Sequence, residues 1–122
     1  MYEVLIEKTF SSAHFLRKYK GKDEPLHGHN WRVQVKFRGA KLVVPEEYLV
    51  DFVEAREALD KIVEKIDYKN INEVPPFDKR NSSAENIAWW ICEEFGKTSL
   101  TPKPSCVTVW ETPDGAASYI PE

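Results

Sequence analysis

The chain has 122 residues, of which 17 are basic and 20 acidic, so its formal net charge is −3. This length and a hydrophobic content of 42% predict one globular domain over residues 1–122. A mildly acidic chain gives no electrostatic reason to expect a nucleic-acid partner, and no apolar run approaches the ~18 residues of a membrane helix. The N-terminus lacks a secretory signal pattern and the two cysteines are far apart, so we expect a cytoplasmic protein without a disulfide framework.

The first elements in chain order are two strands. Apolar and polar residues alternate over residues 2–8 and again, more regularly, over residues 31–38. Gly21, Pro25 and Gly28 indicate a loop between the two runs. We therefore expect the strands to pair in an antiparallel hairpin.

Two helices follow. Asp51 and Glu54 form a capping-box pattern, and apolar residues at helical spacing continue to about Asp67. The expected apolar side of this first helix comprises Phe52, Ala55, Leu59, Ile62 and Ile66. A second capping box, Ser82 to Glu85, predicts a helix that ends at Gly96. Its expected apolar side comprises Ile87, Trp90, Ile91 and Phe95.

Two more strands complete the pattern, at residues 106–111 and 118–120. The order strand, strand, helix, helix, strand, strand predicts an α+β fold, with a four-stranded antiparallel sheet covered by two helices on one face. Because the other face and the edges also need cover, we expect the chain to form a homo-oligomer.

The three histidines of the sequence fall into one region. His27 and His29 flank Gly28 and project to one side of an extended segment, and His14 can reach them if the first two strands form a hairpin. Three neutral imidazoles with an open fourth position are typical of a catalytic zinc site. The alternative is a chance surface pattern beside a core histidine.

Several polar residues are further candidates. Asp23 or Glu24, just before the histidine pair, could act as a general base beside a metal, or belong to a solvated acidic turn. Glu111 ends an apolar strand and could accept two hydrogen bonds from a guanidine-like edge, or be only the polar end of that strand. Ser82 and Ser83 offer a helix N-terminus to a ligand, or are simply a cap.

Taken together, these segments resemble the family of 6-pyruvoyl- and 6-carboxy-tetrahydropterin synthases. The resemblance covers nearly the whole chain and rests on FSSAHFL (10–16), LHGHNW (26–31), VDF (50–52), IDYKNIN (66–72), SSAENIAWWI (82–91) and VTVWET (107–112). It implies the tunnelling fold, in which such units assemble into oligomeric barrels, commonly hexamers, with active sites at subunit boundaries.

The resemblance also assigns roles to individual residues. His14, His27 and His29 correspond to the zinc ligands of the family. Glu111 corresponds to the glutamate that anchors the amino-pyrimidine edge of the pterin, and Ser83 to a threonine at the entrance of the pterin-binding helix.

Two departures from the family pattern bear on the reaction. Asp23 stands where the pyruvoyl and carboxy enzymes have a catalytic cysteine, and Asp67-Tyr68 stands where they have an Asp-His pair. Glu24 instead fits the ExxHGH pattern of a subgroup that cleaves the side chain of a dihydroneopterin phosphate, leaving 6-hydroxymethyl-7,8-dihydropterin.

The sequence thus supports three hypotheses in order. The first is a zinc-dependent lyase acting on 7,8-dihydroneopterin triphosphate or a related phosphate, with Glu24 as the base. The second is 6-pyruvoyl- or 6-carboxy-tetrahydropterin synthase activity, with Asp23 or Glu24 replacing the cysteine. The third is an oligomer that binds pterin or zinc without catalysis.

Overall fold

The computed structural model describes residues 1–122 and confirms the predicted order of elements. The elements are strands β1 (Tyr2–His14) and β2 (His27–Gly39), helices α1 (Phe52–Glu64) and α2 (Ala84–Gly96), and strands β3 (Cys106–Thr112) and β4 (Gly115–Tyr119). A short 3-10 helix, Ile71–Glu73, lies between α1 and α2 and was not predicted. None of the helices combines the length and apolar character that crossing a membrane requires.

The four strands form one antiparallel sheet in the order β1-β2-β3-β4. β1 and β2 pair continuously, from Tyr2 opposite Gly39 to His14 opposite His27. Both strands are longer than predicted, since β1 runs six residues beyond residue 8 and β2 starts four residues before Trp31. Small polar residues at 11 and 12 interrupt the apolar pattern but not the hydrogen-bonded ladder, which explains the error.

The hydrophobic core lies between one face of the sheet and the two helices, as predicted. Four alternate side chains of β2 face the helices and are fully buried: Trp31, Val33, Val35 and Phe37. Three side chains of α2 that are also fully buried lie in the same core cluster: Ile87, Ile91 and Phe95. Removing this apolar surface from water is the main driving force for the fold.

The first helix differs from its prediction at both ends. Asp51 is its N-cap as expected and accepts a hydrogen bond from the Val53 N–H at 3.0 Å. Phe52 is 49% exposed and does not join the core. The helix ends at Glu64 instead of Asp67, although Ile66 beyond its end is still fully buried.

The start of the second helix is displaced by one residue from the predicted capping box. Ser83, not Ser82, is the N-cap, because its hydroxyl accepts a hydrogen bond from the Asn86 N–H at 3.2 Å. Ser82 is fully buried and points into the protein. The last strand is also displaced, to residues 115–119.

Candidate metal centre

The three histidines converge with Glu111 at one end of the sheet. The Oε1 atom of Glu111 lies 2.8 Å from Nε2 of His29, 3.3 Å from Nε2 of His14 and 4.0 Å from Nε2 of His27. One potential ligand atom from each of these four residues lies within 4.8 Å of all the others. The structure therefore joins the predicted histidine group to a carboxylate that the sequence analysis treated separately.

Strand alternation explains why these four side chains meet. On β2, residues 27 and 29 continue the odd-numbered series whose later members, from Trp31 onwards, fill the core. His14 is opposite His27 on β1 and is 1% exposed. Glu111 follows the buried positions 107 and 109 of β3 on the same face. The centre is thus the polar end of the core-facing side of the sheet.

The indole ring of Trp31 packs against two of the histidines of the centre. Its ring centroid lies 4.8 Å from that of His14 and 5.3 Å from that of His29, with the ring planes nearly perpendicular. The indole is held in turn by a hydrogen bond from Nε1 to the Ser12 carbonyl (3.1 Å) and by stacking on Phe10. The two imidazoles therefore rest on a rigid aromatic surface that is continuous with the core.

Backbone carbonyls fix the tautomers of two of the imidazoles. Nδ1 of His14 lies 2.8 Å from the Ser82 carbonyl, and Nδ1 of His27 lies 2.8 Å from the Pro25 carbonyl. A carbonyl oxygen can only accept, so each Nδ1 carries a hydrogen, and in the neutral form of each ring Nε2 is then the nitrogen with the lone pair. This is the arrangement that metal-binding histidines adopt.

The electrostatics and hydrogen bonding of the centre also suit a cation. Burial lowers the pKa of His14 below its usual 6.5, outweighing the carbonyl of Ser82 and the charge of Glu111, which favour the protonated form. Nε2 of His29 is buried and has no properly oriented hydrogen-bond partner in the chain. Imidazole nitrogens and one carboxylate oxygen form a donor set that Zn²⁺ accepts, so the residues present fit such an ion.

The predicted base, Glu24, lies outside this group of four. Its Oε1 accepts the Leu16 N–H at 2.8 Å, and its own N–H donates to the Leu16 carbonyl at 2.9 Å. These two hydrogen bonds connect the segment that follows His14 to the segment that precedes His27. Of the two carboxylate oxygens of Glu24, only Oε1 takes part in them. The neighbouring Asp23 is exposed and accepts only the Lys18 N–H, at 3.1 Å.

The other candidates have structural contacts of their own. The hydroxyl of Ser83 caps α2, as described above. Asp67 accepts the Ser11 N–H at 3.0 Å, and the adjacent Tyr68 is 85% exposed with a positive φ of 55°. Tyr68 and His29 both line an open cleft of about 530 Å³ beside the centre. Four other cavities, of about 200 to 500 Å³, are lined by no histidine of the centre.

A four-stranded antiparallel sheet with two helices on one face and a histidine-rich centre at its end defines a protein of the tunnelling fold. The family profile for 6-pyruvoyl tetrahydropterin synthase matches residues 3–122. The chain therefore belongs to this family of pterin enzymes, as the sequence motifs indicated.

Relatives with several activities are similar to the chain. Dihydroneopterin monophosphate aldolase of Pyrococcus furiosus is 29% identical over 94 residues, which cover 77% of this chain and 75% of that protein. The 6-carboxy-5,6,7,8-tetrahydropterin synthase of Haemophilus influenzae is 27% identical over 144 residues, covering 98% and 99% of the two chains. Family membership alone therefore leaves the product open.

Solved structures agree with the fold. The 6-pyruvoyl tetrahydropterin synthase of Caenorhabditis elegans superposes with a TM-score of 0.85 at 25% identity, covering 100% of this chain and 98% of that one. A Plasmodium vivax 6-pyruvoyltetrahydropterin synthase, solved as a variant with a catalytic glutamate changed to cysteine, gives a TM-score of 0.72 at 26% identity and covers 97% and 96%.

Proposed function

We propose that this chain is a zinc-dependent lyase that cleaves the side chain of 7,8-dihydroneopterin triphosphate, or a related phosphate, to 6-hydroxymethyl-7,8-dihydropterin. His14, His27 and His29 would hold the Zn²⁺. The bound ion would supply Lewis acidity toward the side-chain hydroxyls of the substrate. The observation that carries the proposal is the contact of Glu24 with Leu16, which ties together the segments bearing His14 and His27, while the group of potential metal ligands at these histidines includes no cysteine.

Glu24 is the proposed general base. Its carboxylate would take the proton of the side-chain hydroxyl at C2′, and the C1′–C2′ bond would then break in a retro-aldol step. The electron pair of that bond passes into the dihydropterin ring, and protonation of C1′ yields the hydroxymethyl group while C2′ leaves as an aldehyde. The Plasmodium relative described above also has a catalytic glutamate, which supports a carboxylate in this role.

Glu111 and Ser83 are the proposed substrate contacts. A carboxylate can accept two parallel hydrogen bonds from the amino-pyrimidine edge of a pterin, and Glu111 borders the same centre as the histidines. The hydroxyl of Ser83 lies at the N-terminus of α2, beside buried Ser82. To reach the ring edge, the Glu111 carboxylate would leave its contact with His29.

We further propose that the chain forms a homo-oligomer, a homohexamer in the first instance, with active sites at subunit boundaries. The outer edge of β4 has no partner strand within the chain, and the outer edge of β1 is bonded to other residues of the chain only near its end, at Ser11 and Ala13. The sheet face opposite the helices is open and includes Leu5, which is 47% exposed, and Arg32 stacked on Trp110. Sedimentation velocity tests the assembly, and a monomer at micromolar concentration would contradict it.

Product identification tests the reaction itself. Purified protein with Zn²⁺ is incubated with 7,8-dihydroneopterin triphosphate and, separately, with the monophosphate, and the pterins are separated by chromatography. We expect 6-hydroxymethyl-7,8-dihydropterin. A 6-pyruvoyl or 6-carboxy product without the hydroxymethyl pterin would support the parent activity of the family, and a tight pterin complex without turnover would support a binding protein.

A further inference from the structure

Two buried polar side chains, Asn72 and Ser82, lie behind His14 and have no part in the proposed reaction. Ser82 is fully buried and Asn72 is 5% exposed. We propose that Asn72 is a positioning residue that fixes His14 for metal binding by acting through Ser82. The inference rests on the metal site of the proposed function.

Ser82 determines the orientation of the His14 ring. Nδ1 of His14 lies 2.8 Å from the Ser82 carbonyl oxygen and 3.3 Å from the Ser82 hydroxyl oxygen. Both oxygens can accept the same imidazole hydrogen, so the ring is held on its Nδ1 side and its Nε2 lone pair faces the centre. Hydrogen bonds of this kind behind a ligand set both its tautomer and its direction.

Asn72 in turn orients the Ser82 hydroxyl. That hydroxyl donates to Oδ1 of Asn72 at 2.8 Å, a shorter distance than the 3.4 Å to the Phe15 carbonyl. With its single hydrogen directed to Asn72, the Ser82 oxygen presents lone pairs to His14. The side chain of Asn72 therefore keeps the Ser82 hydroxyl oxygen available to accept the hydrogen on Nδ1 of His14.

The same asparagine also fixes the backbone that follows His14. Oδ1 of Asn72 accepts the Phe15 N–H at 3.0 Å, and Nδ2 donates to the Phe15 carbonyl at 2.9 Å. Asn72 thus restrains both the main chain beside the ligand and the hydrogen-bond partner behind its ring. Its position in the short helix Ile71–Glu73 is itself fixed, because the Asn72 N–H donates to Oδ1 of Asn70.

Asn81 provides a matched control. Its side chain makes the same pair of bonds two residues further along, accepting the Arg17 N–H at 2.9 Å and donating to the Arg17 carbonyl at 3.1 Å. No side-chain bond links Asn81 to His14 or to the hydroxyl of Ser82. Asn72→Ala and Asn81→Ala therefore remove equivalent bonds from one segment, and only the first removes support behind His14.

The test is Zn²⁺ affinity, measured by competition with a chromophoric chelator in the full chain. We expect Asn72→Ala to bind Zn²⁺ about 10–100-fold more weakly than the wild type. Asn81→Ala should lose less than about threefold in Zn²⁺ affinity, although it removes the same pair of bonds to the main chain after His14. Ser82→Ala should also bind Zn²⁺ more weakly than the wild type. Because Asn72 acts through Ser82, the double variant should have the same Zn²⁺ affinity as whichever single variant binds Zn²⁺ more weakly.

Equal Zn²⁺ affinities of Asn72→Ala and Asn81→Ala would overturn the inference. If Asn72→Ala does not fold, Ser82→Ala decides alone, because unchanged affinity there would also overturn it. A wild-type chain that binds no Zn²⁺ would overturn both the proposed metal site and this inference. A chain that binds Zn²⁺ in the expected order but forms no hydroxymethyl pterin would refute the proposed reaction and leave the inference standing.

Discussion

Replacing Glu24 by glutamine separates its proposed role as a base from its observed contact with the backbone. Glutamine retains an oxygen that can accept the Leu16 N–H, so the loop between His14 and His27 should keep its conformation. A hydrogen bond to a charged group contributes about 1.5–3 kcal/mol and one between neutral groups about 0.5–1.5 kcal/mol, so the substitution should cost about 1 kcal/mol. For a chain of this size, that corresponds to a fall of about 4 °C in melting temperature.

The effect on turnover should be far larger. A positioned general base contributes about 10²–10⁴-fold, so Glu24→Gln should lower kcat by that factor while Zn²⁺ binding is retained. The assay follows formation of the 6-hydroxymethyl product by chromatography, alongside thermal unfolding. Asp23→Asn is the control, since Asp23 accepts the Lys18 N–H in the same loop. If Glu24→Gln turns over within tenfold of the wild type, or Asp23→Asn loses as much, the assignment of the base is wrong.

Two other variants test the centre and the scaffold. At a free Zn²⁺ concentration 100 times the dissociation constant, the wild type should gain about 2.7 kcal/mol of stability, and His29→Ala should gain much less in the same melting experiment. A full gain in His29→Ala would place the metal elsewhere. Burial alone would raise the pKa of Glu94, but hydrogen bonds from Lys65 and Lys97 outweigh it and hold that pKa below its usual 4.5. A carboxyl group with a lowered pKa stabilises the folded state above its unfolded-state pKa, and this stabilisation is lost as the pH falls through the folded-state pKa. Because both lysines are largely exposed, Glu94→Gln should lower the free energy of unfolding by only about 1 kcal/mol at pH 7. The loss should be smaller below pH 4.5. Denaturant unfolding at both pH values measures this, and a cost that does not depend on pH would contradict it.

The sequence predicted the order of elements and the meeting of the histidines, because both depend on local patterns. The alternation in β1 and β2, with no other element between them, implies an antiparallel pair, and that pairing brings His14 to His27. Glu111 lies beside the histidines only because β3 pairs with β2, and these two strands are separated in the sequence by both helices. Periodicity within a strand carries no information about such a long-range partner.

The conformation of the loop before the histidine pair was equally beyond the sequence patterns. Its course depends on individual hydrogen bonds, such as that of Glu24 to Leu16, and on positive φ angles at Lys18 (58°) and Lys20 (49°). Lysine has no intrinsic preference for that region, so these residues gave no signal of the turn. The contacts of the proposed base therefore required the structure.

A signal for the whole centre is nevertheless present in the strands. The core-facing series of three neighbouring strands changes from apolar to ionisable residues at the same end of the sheet: Phe10 to His14, Trp31 to His29 and Val109 to Glu111. In an antiparallel sheet, the C-terminal ends of β1 and β3 lie beside the N-terminal end of β2. Once the strand order is known, the ionisable residues that end adjacent core-facing series group Glu111 with the histidines.

That grouping gives Glu111 two possible partners, and one variant distinguishes them. As the anchor of the pterin ring, Glu111 loses a charge-assisted pair of hydrogen bonds when changed to glutamine, so Glu111→Gln should bind a substrate analogue at least about tenfold more weakly. Zn²⁺ affinity should change much less than in His29→Ala, because three imidazoles remain. Calorimetry with 7,8-dihydroneopterin and chelator competition measure the two affinities on the same samples.

The opposite pattern has an equally definite meaning. The separations of 2.8, 3.3 and 4.0 Å between Oε1 of Glu111 and the three Nε2 atoms bracket the ~3.3 Å between ligand atoms of a tetrahedral Zn²⁺ site with bonds near 2.0–2.1 Å. A Glu111→Gln variant that loses Zn²⁺ but retains the pterin would therefore make the carboxylate a metal ligand. In that case the ring edge must be recognised by other residues, and the open cleft beside His29 and Tyr68 is where they should be sought.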